Sequence, residues 1–228
     1  MKKILYLVRT EADFERVVCL AIAGKLKFKQ SFVFTGDFSP FFKSGILNEF
    51  QKQLFENNGF EILDFYRYDF FLNLLNKLLK FDRPITIKDL KDNIFKAFEY
   101  IIYVIFLKIL NKRKFIIINK IINKVSPDFL LTDQSGIDPE YIQEIFRKVA
   151  FKCNIPVFTF THGAAGGLHS EFTEPIFLPY KNYTLFVCND NETSNVVNNR
   201  IVLGDVCSSY NYTHFINNLE GFEIDYLN

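Results

Sequence analysis

Short apolar runs without alternation, each followed by a segment of helical periodicity, constrain this chain more than any other feature. The runs are KILYLV (Lys3 to Val8), SFVFTG (Ser31 to Gly36), FEILDF, PDFLLTD (Pro127 to Asp133), IPVFTFT, YTLFVCN (Tyr183 to Asn189) and NRIVLGD. A strand with one wet face alternates apolar and polar residues, whereas a strand covered on both faces does not. Between the runs, RTEADFERVVCLAIAG repeats Phe14, Val17, Val18, Leu20 and Ala21 at helical spacing and meets a stop at Gly24. FFKSGILNEFQKQLFENNG reads as a second helix closed by Asn58 and Gly59. DPEYIQEIFRKVAFKCN opens with Asp138 as N-cap and Pro139 at the first helical position. Strands alternating with helices of this length predict right-handed crossovers and one α/β domain spanning 1–228: a parallel sheet with helices on both faces.

The rhythm breaks between about 69 and 124, where a long helical insertion is expected. Leu72, Leu75, Leu78 and Leu79 suit one helix, IKDLKDNIFKAFEYIIYVIFLKILNK a second and KFIIINKIINKV a third. Residues 77–124 hold twelve Lys or Arg against four Asp or Glu, an excess of eight in a chain whose formal charge is only +1. The overall balance carries no polyanion signal and no RNA-binding motif is present, so nucleic acid is not an expected partner. The basic stretch reads either as lysines on a solvated helix face or as a surface that lies on anionic lipid with Phe, Tyr and Ile beneath the lysines.

The most membrane-like run, Tyr100 to Leu110, falls short of the ~20 residues a bilayer requires and contains Lys108. The basic start MKKILYLVRTEAD has too short an apolar run for a secretion signal. These features predict a cytoplasmic protein, with peripheral contact at the inner face of the membrane through 77–124 as the second reading of the basic stretch. Disorder is excluded by 49% apolar content, including 28 Phe. Cys19, Cys153, Cys188 and Cys207 form no CxxC pair and are expected as buried, reduced thiols, not as disulfides or a zinc site. No metal or cofactor is expected.

Ligands of open parallel sheets bind beyond the carboxyl ends of the strands. That rule selects Arg9, Thr10 and Glu11; Thr35, Gly36 and Asp37; Asp133, Gln134 and Ser135; His162 and Gly163; Asn189 and Asp190; Gly204 and Asp205. His162 follows VFTFT, so its ring belongs at the rim, where an imidazole can take a proton from a hydroxyl near neutral pH. Gly163, Gly166 and Gly167 let backbone approach a ligand and present N–H groups. Arg9, ahead of a helix N-terminus, suits a phosphate or carboxylate. Asp133 can orient a substrate hydroxyl, and Glu171 and His169 are close enough in sequence to shape the same cleft.

Each has a plainer alternative: a loop histidine bonded to neighbouring backbone, an Arg9 ion pair with Glu11 or Glu15, an Asp133 that closes its own turn, and loop polarity for His169 and Glu171. The loop GAAGG lacks both the G-x-G-x-x-G pattern and a Walker lysine, and neither H-E-x-x-H nor G-x-S-x-G occurs.

The order INKVSPDFLLTD, IQEIFRKVAFKCNIPVFTFTHGA, YTLFVCND and NRIVLGD resembles the N-terminal, acceptor-side half of the GT-B superfamily. That superfamily includes bacterial surface-polysaccharide glycosyltransferases, CDP-glycerol glycerophosphotransferases and UDP-N-acetylglucosamine 2-epimerases. The resemblance implies a Rossmann-like domain and, for the glycerophosphotransferase-like members, a base at His162 acting on the acceptor hydroxyl, with Gly163 and Gly166 in its loop. It implies a sugar or lipid-linked acceptor and a nucleotide-activated donor. The handover turn is GDV where the family has G-x-P, and 23 residues follow Asp205. The donor-binding C-terminal domain is therefore expected to be missing or separate. Two alternatives stand beside a transferase half: a non-catalytic module that binds a glycan or partner, and a relative of the nucleotide-sugar 2-epimerases.

Overall fold

The computed structural model describes residues 1–8, 11–35, 49–65, 94–133, 142–160, 183–188 and 200–202. In chain order these form β1 (Lys3–Val8), α1 (Glu11–Gly24), β2 (Lys29–Phe34), α2 (Glu49–Asn58), β3 (Glu61–Asp64), α3 (Ile94–Val125), β4 (Phe129–Asp133), α4 (Ile142–Lys152), β5 (Val157–Phe160), β6 (Leu185–Cys188) and β7 (Arg200–Val202). The strands make one 7-stranded sheet in the order β3-β2-β1-β4-β5-β6-β7, and every pairing is parallel. This is the Rossmann-like α/β architecture that the unalternating runs predict.

Both faces of the sheet are covered, which is why the strands read as continuous apolar runs. Ile4, Tyr6, Val8, Phe32, Phe34, Phe129 and Phe158 point to one face, where α1 brings Val17, Val18, Leu20 and Ala21, and α2 brings Phe55. Leu5, Leu7, Val33, Leu130 and Val157 point to the other, against Ile117, Ile118 and Ile121 of α3 and Ile145, Phe146 and Val149 of α4. Helix ends follow local chemistry. Gly59 (φ 67) and Asn154 (φ 56) take the left-handed conformation after α2 and α4. Each is closed by paired backbone bonds, Gly59 N–H to Glu56 O with Phe60 N–H to Phe55 O, and Asn154 N–H to Phe151 O with Ile155 N–H to Ala150 O.

Two expectations need correction. The helices expected over 87–112 and 114–125 are, from Ile94 onward, one helix of 32 residues. The polar sequence Asn111 to Lys114 does not break it, because Lys and Arg are good helix formers and Lys112 and Arg113 point to solvent. The thiols described are not buried: Cys19 is half-buried, and Cys153 is exposed in the turn that closes α4. The apolar neighbours of Cys153 belong to the helix before it and the strand after it.

Helix α3 also outgrows the sheet. At 1.5 Å per residue it is ~48 Å long, against ~20 Å for a six-residue strand. It ends at Val125 and passes through Ser126 (φ 47) into the amino end of β4, so it runs antiparallel to the strands. Among its described residues the buried apolar positions are Leu110, Ile117, Ile118, Ile121, Ile122 and Val125. Its second half therefore covers the sheet, and its first half projects past the sheet's carboxyl edge.

Candidate functional site at the carboxyl edge of the sheet

Because all the strands are parallel, Val8, Phe34, Asp133, Phe160, Cys188 and Val202 end on one edge. From β1 the chain moves to β2 on one side, and from β4 it moves to β5 on the other. Helices α1 and α4 therefore lie on opposite faces, and the switch in strand order between β1 and β4 is where open parallel sheets leave a crevice for ligands.

The residues singled out from the sequence attach at this edge. Asp133 is the last residue of β4, in register with Phe160, the last of β5; its side chain lies outside the description. Arg9 and Thr10 follow β1, Gly36 follows Thr35, and Gln134 follows β4; His162, Gly163, Gly166, Gly167 and Glu171 come after β5. All of these nine lie outside the described residues.

The described part of the crevice is its floor. Thr35, just past β2, donates its N–H to Val8 O at 2.8 Å, and its hydroxyl reaches the same carbonyl at 3.4 Å. Gln143, in the first turn of α4, donates from Nε2 to Thr35 Oγ1 at 2.7 Å. A single buried side chain thus ties the start of α4 to the ends of β2 and β1, across the switch point. The other end of that amide, Gln143 Oε1, is buried without a hydrogen-bond partner. It is an acceptor capable of receiving one hydroxyl or N–H.

One turn further along α4 lies a buried ion pair. Arg147, with no solvent exposure, places Nε 2.9 Å from Glu144 Oε2, and Lys148 Nζ lies 3.7 Å from the other carboxylate oxygen. Glu144 and Arg147 have further interactions as well. Strand alternation puts Thr35, Thr132 and Thr159 on the face that α4 covers, with Thr132 and Thr159 side by side in register. A layer of polar side chains therefore separates the upper end of the sheet from the first turns of α4, while lower down the same interface is wholly apolar.

Sequence reasoning passed over Gln143, Glu144 and Arg147. Ile142, Ile145, Phe146 and Val149 mark the apolar side of α4, so its polar side reads as solvated; the structure buries both sides over the first turns. Burial of that polar side depends on neighbouring layers, and no local pattern reports it.

No family model and no curated protein sequence matches the chain. Solved structures do. The chain is similar to S. aureus MnaA solved with UDP, at TM-score 0.50 and 13% identity, over 93% of this chain and 47% of that one. It is also similar to UDP-GlcNAc 2-epimerase from Methanocaldococcus jannaschii (TM-score 0.49, 13% identity, 96% and 50% covered). A UDP-glucosyltransferase from Polygonum tinctorium gives TM-score 0.49 at 11% identity, with 90% and 52% covered. The chain spans about half the length of these structures. Its fold is that of one half of the two-domain GT-B fold, as the motif resemblance implies.

Proposed function

We propose that this chain is the acceptor-side half of a sugar-nucleotide-dependent glycosyl- or glycerophosphotransferase that builds cell-surface polysaccharide. The observation that supports this reading best is the match of nearly the whole chain, 93%, to 47% of a structure solved with UDP, with the switch in strand order beside the candidate residues. His162 takes the proton of the acceptor hydroxyl as that oxygen bonds to the donor and the nucleotide leaves. Arg9, with the N–H groups at Gly163, Gly166 and Gly167, holds anionic groups. Thr10, Gly36, Asp133, Gln134 and Glu171 line the acceptor side. The nucleotide-activated donor is held by a second domain, on a separate chain or joined to this one. A lipid-linked acceptor would bring the chain to the inner face of the cytoplasmic membrane.

The test is donor turnover with the donor-binding domain supplied. His162→Ala lowers kcat by about 10²–10⁴, the usual worth of a general base; a smaller loss in a folded variant removes His162 from the mechanism. A second reading is a glycan- or partner-binding module without turnover. That reading expects acceptor binding unchanged by a donor domain and no nucleotide release. An epimerase relative would instead invert C2 of the donor sugar with no acceptor present.

A further inference from the structure

The first half of α3 carries a surface that neither the sheet nor the crevice uses. Ile101, Ile105 and Ile109 are 55%, 51% and 44% exposed, and Ile102, Phe106 and Ile116 are exposed beside them. At 100° per residue, Ile101, Ile102, Ile105, Ile109 and Ile116 fall within one ~100° arc, opposite the arc of Ile118, Ile121 and Val125 that packs on the sheet. Isolated apolar residues on a surface need no explanation, but a contiguous stripe of isoleucine does. Lys108 borders the arc on one side, Arg113 and Lys120 lie at its other edge, and Lys112 falls within it between Ile109 and Ile116; all four are exposed. Helix α3 as a whole has seven basic residues against a single acid, Glu99.

From these observations we propose that α3 docks on an anionic lipid surface, lying in the plane of the interface with the isoleucine stripe beneath the headgroups and the lysines among the phosphates. The stripe excludes a purely electrostatic ligand such as nucleic acid, which would leave the isoleucines in water. The flanking charge disfavours a second copy of the helix, since like charges would meet along the seam. Among the described residues no helix is long and apolar enough to cross a membrane. An interfacial helix needs neither property, only an apolar stripe reaching roughly 5–10 Å into the headgroup and acyl boundary with basic residues above it. Since this half of α3 projects past the carboxyl edge of the sheet, docking holds the crevice beside the membrane, where an acceptor carried on lipid enters. That consequence rests on the transferase reading; the docking itself does not.

The test is co-sedimentation of the full chain with vesicles of phosphatidylcholine alone and with vesicles that are about one-third phosphatidylglycerol. The expected result is binding to the anionic vesicles only, weakening as salt shortens the Debye length. Lys108→Glu/Lys112→Glu/Lys120→Glu reverses three interfacial charges and lowers partitioning by about a hundredfold or more. Ile105→Ser/Ile109→Ser lowers it about tenfold or more while leaving the salt dependence in place. All these positions are exposed, so the circular dichroism spectrum stays unchanged. Equal binding to both vesicle types, no binding to anionic vesicles at low salt, or indifference to the charge reversal overturns the proposal. So does a dimer in sedimentation velocity that Ile105→Ser/Ile109→Ser abolishes, which would mean that a second copy covers the stripe. Failure here leaves the crevice reading to its own test, because donor turnover and vesicle binding are measured separately.

Discussion

The two faces of the sheet solve the same packing problem with different materials. Against α1 and α2 the interface is aromatic: Phe32 stacks on Tyr6 at 4.7 Å and meets Phe55 edge-on at 4.5 Å, and Phe129 meets Phe28 and Phe158. Against α3 and α4 it is mainly aliphatic, with Phe65 and Phe146 as its aromatic pair, 6.2 Å apart. Polar residues enter the second interface at the carboxyl edge, through Thr35, Gln143, Glu144 and Arg147, and near the amino end through Ser31, whose hydroxyl donates to Glu61 Oε2 at 2.8 Å. The aromatic face is a continuous core. The aliphatic face carries its larger polar layer at the carboxyl edge, the edge at which open parallel sheets bind ligands.

The comparison breaks most readily at Phe32. Phe32→Ala removes the ring shared by Tyr6, Phe55 and Phe60 and costs about 3–5 kcal/mol. Ile118→Ala on the opposite face, equally buried, costs about 2–5 kcal/mol and falls in the lower part of that range, because aliphatic neighbours close over a smaller void. Urea unfolding of both variants reads the difference. Equal losses would mean that the aromatic contacts add nothing beyond volume.

The polar layer is sharpened by a double-mutant cycle on α4. Arg147→Met removes the buried guanidinium that lies 2.9 Å from the Glu144 carboxylate and costs about 3 kcal/mol. Adding Glu144→Leu removes the stranded charge and recovers most of that loss, since a packed apolar pair is commonly as stable as a buried ion pair. Equilibrium unfolding of the two single variants and the double variant gives the coupling; additive losses would show that the two side chains act independently.

How far each face could be read from the sequence follows from the same contrast. The strands were legible because burial on both faces removes alternation, and runs as short as LFVC or FLLTD between turn residues are too brief for a helix. The edge that carries the candidate residues was legible too, because a parallel sheet puts every strand's carboxyl end on one side. The continuity of α3 was not, since NKRK reads as a break unless one knows that Lys112 and Arg113 face water. Burial of Gln143 and Arg147 was invisible for the converse reason: an amphipathic helix advertises one buried side, and only the assembled layers bury the other. Cys153 misled through its apolar neighbours, which lie in flanking elements while the thiol sits in the turn between them.

The smallest expected effect runs against intuition and concerns the aromatic face. The Tyr6 hydroxyl is buried at the centre of the sheet with no hydrogen-bond partner, and burial pushes its pKa well above the usual phenol range. A buried hydroxyl that has lost its water without gaining a partner costs about 1–3 kcal/mol. Tyr6→Phe keeps the ring stacked on Phe32 and discards the penalty, so the variant is more stable by about 1 kcal/mol at neutral pH. The pH dependence provides an internal check. Above pH ~10 the unfolded chain's Tyr6 ionises while the folded chain's cannot, so the native state holds the extra proton and its stability falls as pH rises. That contribution is absent in Tyr6→Phe. The gap between variant and wild type should therefore widen from pH 9 to pH ~11, the remaining tyrosines being common to both proteins. A gap that stays constant across this window would mean that the hydroxyl reaches water or a partner in solution, and the aromatic face would then hold a satisfied polar group besides Gln30, whose Nε2 donates to Ala21 O at 2.6 Å.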